Sequence, residues 1–197
     1  MIPETQKSLI VRLADRHDSD AWFQFSNVYR SVIYSMARKH GLQDADADEV
    51  VQTVFSNISN ALAQRPHDWA RAKFRTWLFR VTFNAISNKY RSAKPDLGSG
   101  DTAVIGQLNS VPSPVELGDY DEAYEKAIFR WAAKQIRSEF QEETWNAFWM
   151  TAVMGRSCED VARAIGKEIG SVYAARSRII RRLRKKIKDF DESCQID

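Results

Sequence analysis

Residues 155–190 read GRSCEDVARAIGKEIGSVYAARSRIIRRLRKKIKDF, and this stretch decides the architecture. Ser157, with Asp160 three residues on, forms a capping box just ahead of Val161, Ala162 and Ile165. Gly166 ends that short helix in a tight turn. A longer helix follows, in which Val172, Ala175, Ile179, Leu183 and Ile187 fall on one stripe at helical spacing. On the other side lie Tyr173, Ala174, Ser177, Arg178, Arg181, Arg184 and Lys185. A short helix, a glycine turn and a longer basic helix make the helix-turn-helix plan. Its second helix suits a major groove, with early residues near base edges and later Arg and Lys near phosphates. A basic helix in an ordinary bundle would account for the charge. It would not account for the cap, the turn and the one-sided packing together.

Toward the N-terminus, helical patterning begins near Tyr124 and also carries Ile128, Trp131, Trp145, Phe148, Trp149 and Val153. Before it stands AKPDLGSGDTAVIGQLNSVPSPVELG, from Ala93 to Gly118, which has no sustained period and reads as a flexible linker. The preceding part is helical again. Trp22, Phe25, Tyr29, Val32, Ile33 and Met36 recur at intervals of three and four after the capping candidates Asp18 and Ser19, and Gly41 sits at the expected stop. A second helix starts in an Asp-rich turn and places Val50, Val51, Val54, Phe55, Ile58 and Leu62 on one side before Pro66 breaks it. A third runs from about Phe74 to Tyr90. The expected fold is all-α, with two small helical modules on a tether: residues 1–94, a linker at 95–118, and residues 119–197.

The third helix is the informative one. In AKFRTWLFRVTFNAISNKYRS, Phe74, Trp77, Leu78, Val81 and Ala85 make one core-facing stripe, while Phe79, Phe83 and Tyr90 point elsewhere. Burial on two sides leaves a polar seam of Arg80, Asn84, Ser87 and Arg91. Guanidinium and amide groups bind phosphates or unstacked bases, and rings can support a base taken out of the duplex. Trp77, Phe79 and Phe83 at this spacing read first as core.

The net charge of +3 hides a bipolar distribution. Arg71 to Lys94 contains seven basic residues and no acid, and Ile169 to Lys188 contains eight and no acid. The acids gather at Asp44, Asp46, Asp48 and Glu49, and at Asp119, Asp121, Glu122 and Glu125. Two basic surfaces fit two contacts with one polyanion. DNA would repel the acidic helix start in DADADEVVQTVF, so a protein partner fits it, although first-turn capping suffices for Asp44 and Asp46.

No apolar run approaches a membrane span, and the N-terminus lacks the pattern of a secretory signal. Cys158 and Cys194 have no metal-ligand spacing, so no metal or cofactor is expected, and a reducing cytoplasmic setting follows. His17, His40 and His67 are isolated and no phosphate-binding glycine loop is present, so no catalytic residue is assigned and an enzyme is not expected.

Taken with these motifs, the chain resembles the extracytoplasmic-function sigma factors of the sigma-70 family over nearly its whole length. DADADEVVQTVF is similar to the family's region 2.1–2.2, of the form DAEDLVQEVF; FRTWLFRVTFNAISNKYR to region 2.3–2.4, of the form FRxWLYRIARNxxxDxxR; SCEDVARAIGKEIGSVYAARSRIIRRL to region 4.2. The resemblance implies that Asp48, Glu49, Gln52 and Phe55 bind core RNA polymerase. It implies that Asn84, within the seam of Arg80, Ser87 and Arg91, serves the −10 element of promoter DNA, and that the loop from Gln64 to Lys73 captures a flipped base. Tyr173, Ala174, Ser177 and Arg178 fall at its groove-facing positions, and Ser171, Arg181, Arg184 and Lys185 complete a −35-binding set. An anti-sigma factor stands open as a further partner, and membrane insertion is not expected. The chain departs from the family at Glu168, where a Ser often caps, and at the polar Ser56, Asn57, Ser59 and Asn60. The rival reading is a ligand-responsive helix-turn-helix regulator that works without polymerase.

Overall fold

The computed structural model describes residues 9–64, 71–93 and 114–194, and every regular element among them is helical. In order these are α1 (Leu9–Arg12), α2 (Ser19–Lys39), α3 (Asp44–Gln64), α4 (Arg71–Ala93) and α5 (Pro114–Ile136). They are followed by a 3-10 turn at Arg137–Glu139, α6 (Glu142–Phe148), a π turn at Trp149–Val153, α7 (Cys158–Ile165) and α8 (Ile169–Ser193). The all-α expectation holds. The chain divides into two compact units, Met1–Ala127 with Glu192–Asp197, and Ile128–Asp191.

In the first unit α2, α3 and α4 pack side by side. The α2 helix starts where its cap predicts, with the Asp18 carboxylate accepting from the Ala21 amide at 2.9 Å. It stops in a Schellman turn: the Leu42 amide donates to the Ala37 carbonyl (3.2 Å) and the Gly41 amide to Arg38 (2.9 Å). Gly41 has φ +85°, which favours glycine, and a Cβ there would lie a tight 3.3 Å from the Tyr90 hydroxyl. Tyr90 in turn donates to the His40 carbonyl, tying the end of α4 to the end of α2.

The α4 helix buries two sides, as its pattern indicates. Phe74, Leu78 and Ala85 are buried on one, and Phe79, Phe83 and Ile86 on the other. Trp77 and Val81 are half-buried at the margin. Phe83 meets His40 edge-on, with ring centroids 5.4 Å apart, and Phe79 meets Tyr120 of α5 at 5.3 Å. These rings are core.

Pro114–Gly118, read from sequence as the end of the linker, are helical. Proline at the first helical position loses no intrahelical bond and brings a suitable φ, so it starts this helix rather than blocking it. Most of the remaining linker, residues 94–113, and the Pro66 break lie outside the described residues. The beginning of α5 packs within the first unit. Tyr124 lies 5.7 Å from Tyr29, Asp119 pairs with Lys39 (2.6 Å), and Asp121 pairs with Arg75 (3.1 Å), whose guanidinium also sits 4.1 Å over the Tyr124 ring. Among the described residues the buried Tyr120 hydroxyl has no hydrogen-bond partner, and burial pushes its pKa up.

The second unit has two adjoining apolar clusters. Ala132, Ala133 and Ile136 of α5 pack with Trp145, Phe148, Ile179 and Leu183, while Val161 and Ala162 of α7 pack with Val172 and Ala175 of α8. No helix among the described residues is long and apolar enough to cross a membrane.

Two tests follow. Phe79→Ala should lower folding stability by about 3–5 kcal/mol, because a fully buried ring is removed. A urea titration reads this, and Arg80→Ala, one residue along but exposed, should leave the midpoint in place. Arg12 donates to both Asp18 oxygens at 2.8 Å. That bond first, and the Ala21 amide second, hold the Asp18 carboxyl below its ordinary value. A lowered carboxylate stabilises the fold above its unfolded pKa and stops doing so as pH falls through the folded one. Arg12→Ala should therefore be less stable than wild type at neutral pH, and the gap should close as pH falls below about 4.

Candidate nucleic-acid interface

In the second unit, local chemistry builds the helix-turn-helix. The Ser157 hydroxyl accepts from the Asp160 amide at 3.0 Å, while the Asp160 carboxylate turns forward to Arg163 at 3.4 Å. Gly166 takes the left-handed conformation at φ 64°, and the Lys167 amide closes the turn on the Ala162 carbonyl at 3.0 Å. Val172, Ala175, Ile179 and Leu183 are buried and Ile187 is half-buried. Ser171, Tyr173, Ala174, Ser177, Arg178, Arg181, Arg184 and Lys185 are all exposed.

They form two flanks. Tyr173, Ser177, Arg181 and Arg184 line a concave strip together with Arg176 and Ile180. At 100° per residue, Ser171, Ala174, Arg178 and Lys185 project from the opposite flank. Tyr173 leans toward the start of α7, where Cys158 first and Glu159 second push its phenol pKa up. The cations are not equivalent. Arg182 is held by both oxygens of Glu139 (2.5 and 2.6 Å), Lys186 lies 5.4 Å from the centre of the Trp131 ring, and Lys185 pairs with Asp189 at 3.2 Å. Among the described residues, Arg176, Arg178, Arg181 and Arg184 have no acidic partner. Arg176 was missed in the sequence because it flanks the apolar stripe; its spacing from Tyr173 and Ile180 was the available signal.

In the first unit, Arg80, Asn84 and Arg91 are exposed on one side of α4. Ser87 is not with them. It is buried, 2% exposed, and its hydroxyl donates to the Phe83 carbonyl at 2.9 Å. Ser87 sits at the margin between the seam and the buried Phe83 side, and a hydroxyl that can bond its own helix tolerates burial there. Asn88 completes the strip instead, exposed and with its amide oxygen 3.5 Å from the Arg91 guanidinium. The loop from Gln64 to Lys73 is described only at Gln64 and the start of α4.

The acidic start of α3 is zipped to both neighbours. Tyr34 donates to Asp44 (2.8 Å) and Arg38 pairs with it (3.0 Å); Arg30 pairs with Asp48 (2.7 Å). On the α4 side, Lys89 bridges Glu49 (2.5 Å) and Asp46 (3.1 Å), and these bonds push its pKa up, Glu49 contributing most. Gln52 is exposed, and Phe55 is half-buried against Phe25 and Trp22. Asp48, Glu49, Gln52 and Phe55 thus share one outer arc of α3, with Asp48 turned to α2 and Glu49 to α4.

Residues 26–95, which take in most of α2 and all of α3 and α4, match the Sigma-70 region 2 family. That segment is similar to a Sigma-70 region 2 domain. Over 190 residues, 95% of each chain, the protein is 25% identical to the RNA polymerase sigma factor NccH of Alcaligenes xylosoxydans xylosoxydans. No group of side chains that could hold a metal occurs among the described residues, and the cysteines there are unbridged.

The unequal pairing of α8 cations gives a direct test. Arg182→Ala should lower the melting temperature of the free factor, because it breaks the doubly bonded link to Glu139. Arg181→Ala, without an acidic partner, should leave the melting curve where it is.

Proposed function

We propose that this sigma factor recruits core RNA polymerase to promoters through the first unit and reads the −35 element with α8, while α4 assists melting at the −10 element. The observation that carries the DNA-binding part is the set of four arginines on α8 that no acid among the described residues neutralises, on a helix presented by a capped helix and a left-handed glycine turn. The family match at residues 26–95 favours sigma action over a ligand-responsive regulator that works alone. As a sigma factor it is not an enzyme, and its partners are core RNA polymerase and promoter DNA.

The finer assignments are ours. Ser171, Tyr173, Ala174, Ser177, Arg178, Arg181 and Arg184 face −35 DNA, and Arg184 supplies backbone charge more readily than Lys185, which Asp189 already pairs. Arg80, Asn84 and Arg91 meet the opened −10 strand. Asp48, Glu49, Gln52 and Phe55 contact polymerase, with Arg30 and Lys89 holding the two acids in place. The factor works in the cytoplasm, and an anti-sigma protein that covers these surfaces would keep it inactive.

Reconstitution with core polymerase on a promoter pool randomised at −35 tests the reading. Arg178→Ala should relax preference at one or two positions, since a guanidinium on a guanine edge discriminates by about 1–3 kcal/mol. Arg184→Ala should weaken binding evenly across sequences and lower the salt slope by about one. Identical sequence preferences for wild type and Arg178→Ala would remove Arg178 from the base-reading set.

A further inference from the structure

Phe23 of α2 is 66% exposed, more than any other large hydrophobic side chain among the described residues. A single exposed ring on a protein surface needs no explanation. This one is not single. Trp22, beside it in sequence, is half-buried, with its ring 6.3 Å from Phe55 and 6.2 Å from Phe25. Phe55 is half-buried as well.

Three contacts fix the register of α2 against α3: Trp22 with Phe55, Arg30 with Asp48, and Tyr34 with Asp44. The helices therefore run antiparallel, and position 23 is level with 54 or 55. Arg30 follows Phe23 by two turns, which returns it to nearly the same direction, within about 20°. Since Arg30 reaches Asp48 across the outer edge, Phe23 projects from that edge too, level with Phe55 and about one turn from Gln52. The result is an aromatic centre bordered by an exposed amide and an internally neutralised ion pair. Protein interfaces have this anatomy: aromatic residues enriched, and unpaired charge depleted, at the centre.

We infer that Phe23 is the apolar anchor of the polymerase-docking surface, its ring entering an apolar recess on core RNA polymerase beside the contacts of Asp48, Gln52 and Phe55. This rests on the polymerase-facing role proposed for that side of α3. Continuity with those residues selects polymerase over a second copy of the chain as the occupant.

The test is competition of the full-length factor for core polymerase, with melting temperature and sedimentation of the free factor measured alongside. Phe23→Ala should weaken core binding by about tenfold or more, as a truncated anchor does. Phe23→Leu should retain most of the affinity. The melting temperature of Phe23→Ala should stay level or rise, because the exposed ring contributes little to the core. A fall in melting temperature that accounts for the binding loss would make the ring structural and overturn the inference. So would unchanged core binding by Phe23→Ala while Asp48→Ala with Gln52→Ala still weakens it; in that case the docking face stands and its anchor does not. Concentration-dependent dimers of wild type that vanish in Phe23→Ala, without a change in core binding, would assign the ring to self-association instead. No core binding by the wild-type chain would remove the proposed function together with the anchor.

Discussion

A helix that buries rings on two sides has only a narrow arc left for solvent, and α4 lives under that constraint. Phe74 and Leu78 on one side and Phe79 and Phe83 on the other fix its rotation. A small turn about its axis would drive Arg80 into the core or expose a phenylalanine, and each fully buried ring contributes about 1.5–3 kcal/mol. The strip that remains, from Arg80 through Asn84 and Asn88 to Arg91, is positioned by packing. Its side chains need not be held by one another.

Charge is handled differently in the two units. Around α3, acids and bases neutralise one another across helix boundaries, so Asp44, Asp46, Asp48 and Glu49 fasten α2 and α4 as well as favouring the helix start. Along α8, Arg176, Arg178, Arg181 and Arg184 have no acidic partner among the described residues, whereas Glu139 pairs with Arg182 and Asp189 with Lys185. Exposed pairs contribute little stability individually. Their larger effect is to decide which cations remain available to a polyanion.

Features set by a few neighbouring residues were legible in the sequence. The caps at Asp18 and Ser157, the stops at Gly41 and Gly166, and the apolar stripe from Val172 to Leu183 all depend on local spacing, and each stands where the spacing placed it. What depended on a neighbouring helix was not legible. Ser87 lies at the margin of an arc, and only its packed surroundings decide whether it is buried. Asp48 and Glu49 are adjacent in sequence yet serve different helices. Composition places Pro114 in the linker, although at a helix start it is compatible with the helix. Phe23 and Arg176 escaped because each sits beside a stripe whose pattern was already explained.

The way α5 begins bears on how this protein can be divided. Composition invites a cut anywhere between Ala93 and Gly118, yet Tyr120 and Tyr124 lie beyond that stretch and cover Phe79 and Tyr29. A fragment ending in the linker would carry two bare aromatic rings, with Lys39 and Arg75 stripped of their carboxylates. Such a truncated piece would be sticky for reasons unrelated to its biology. An expression boundary placed after Ala127 keeps the lid on its own groove.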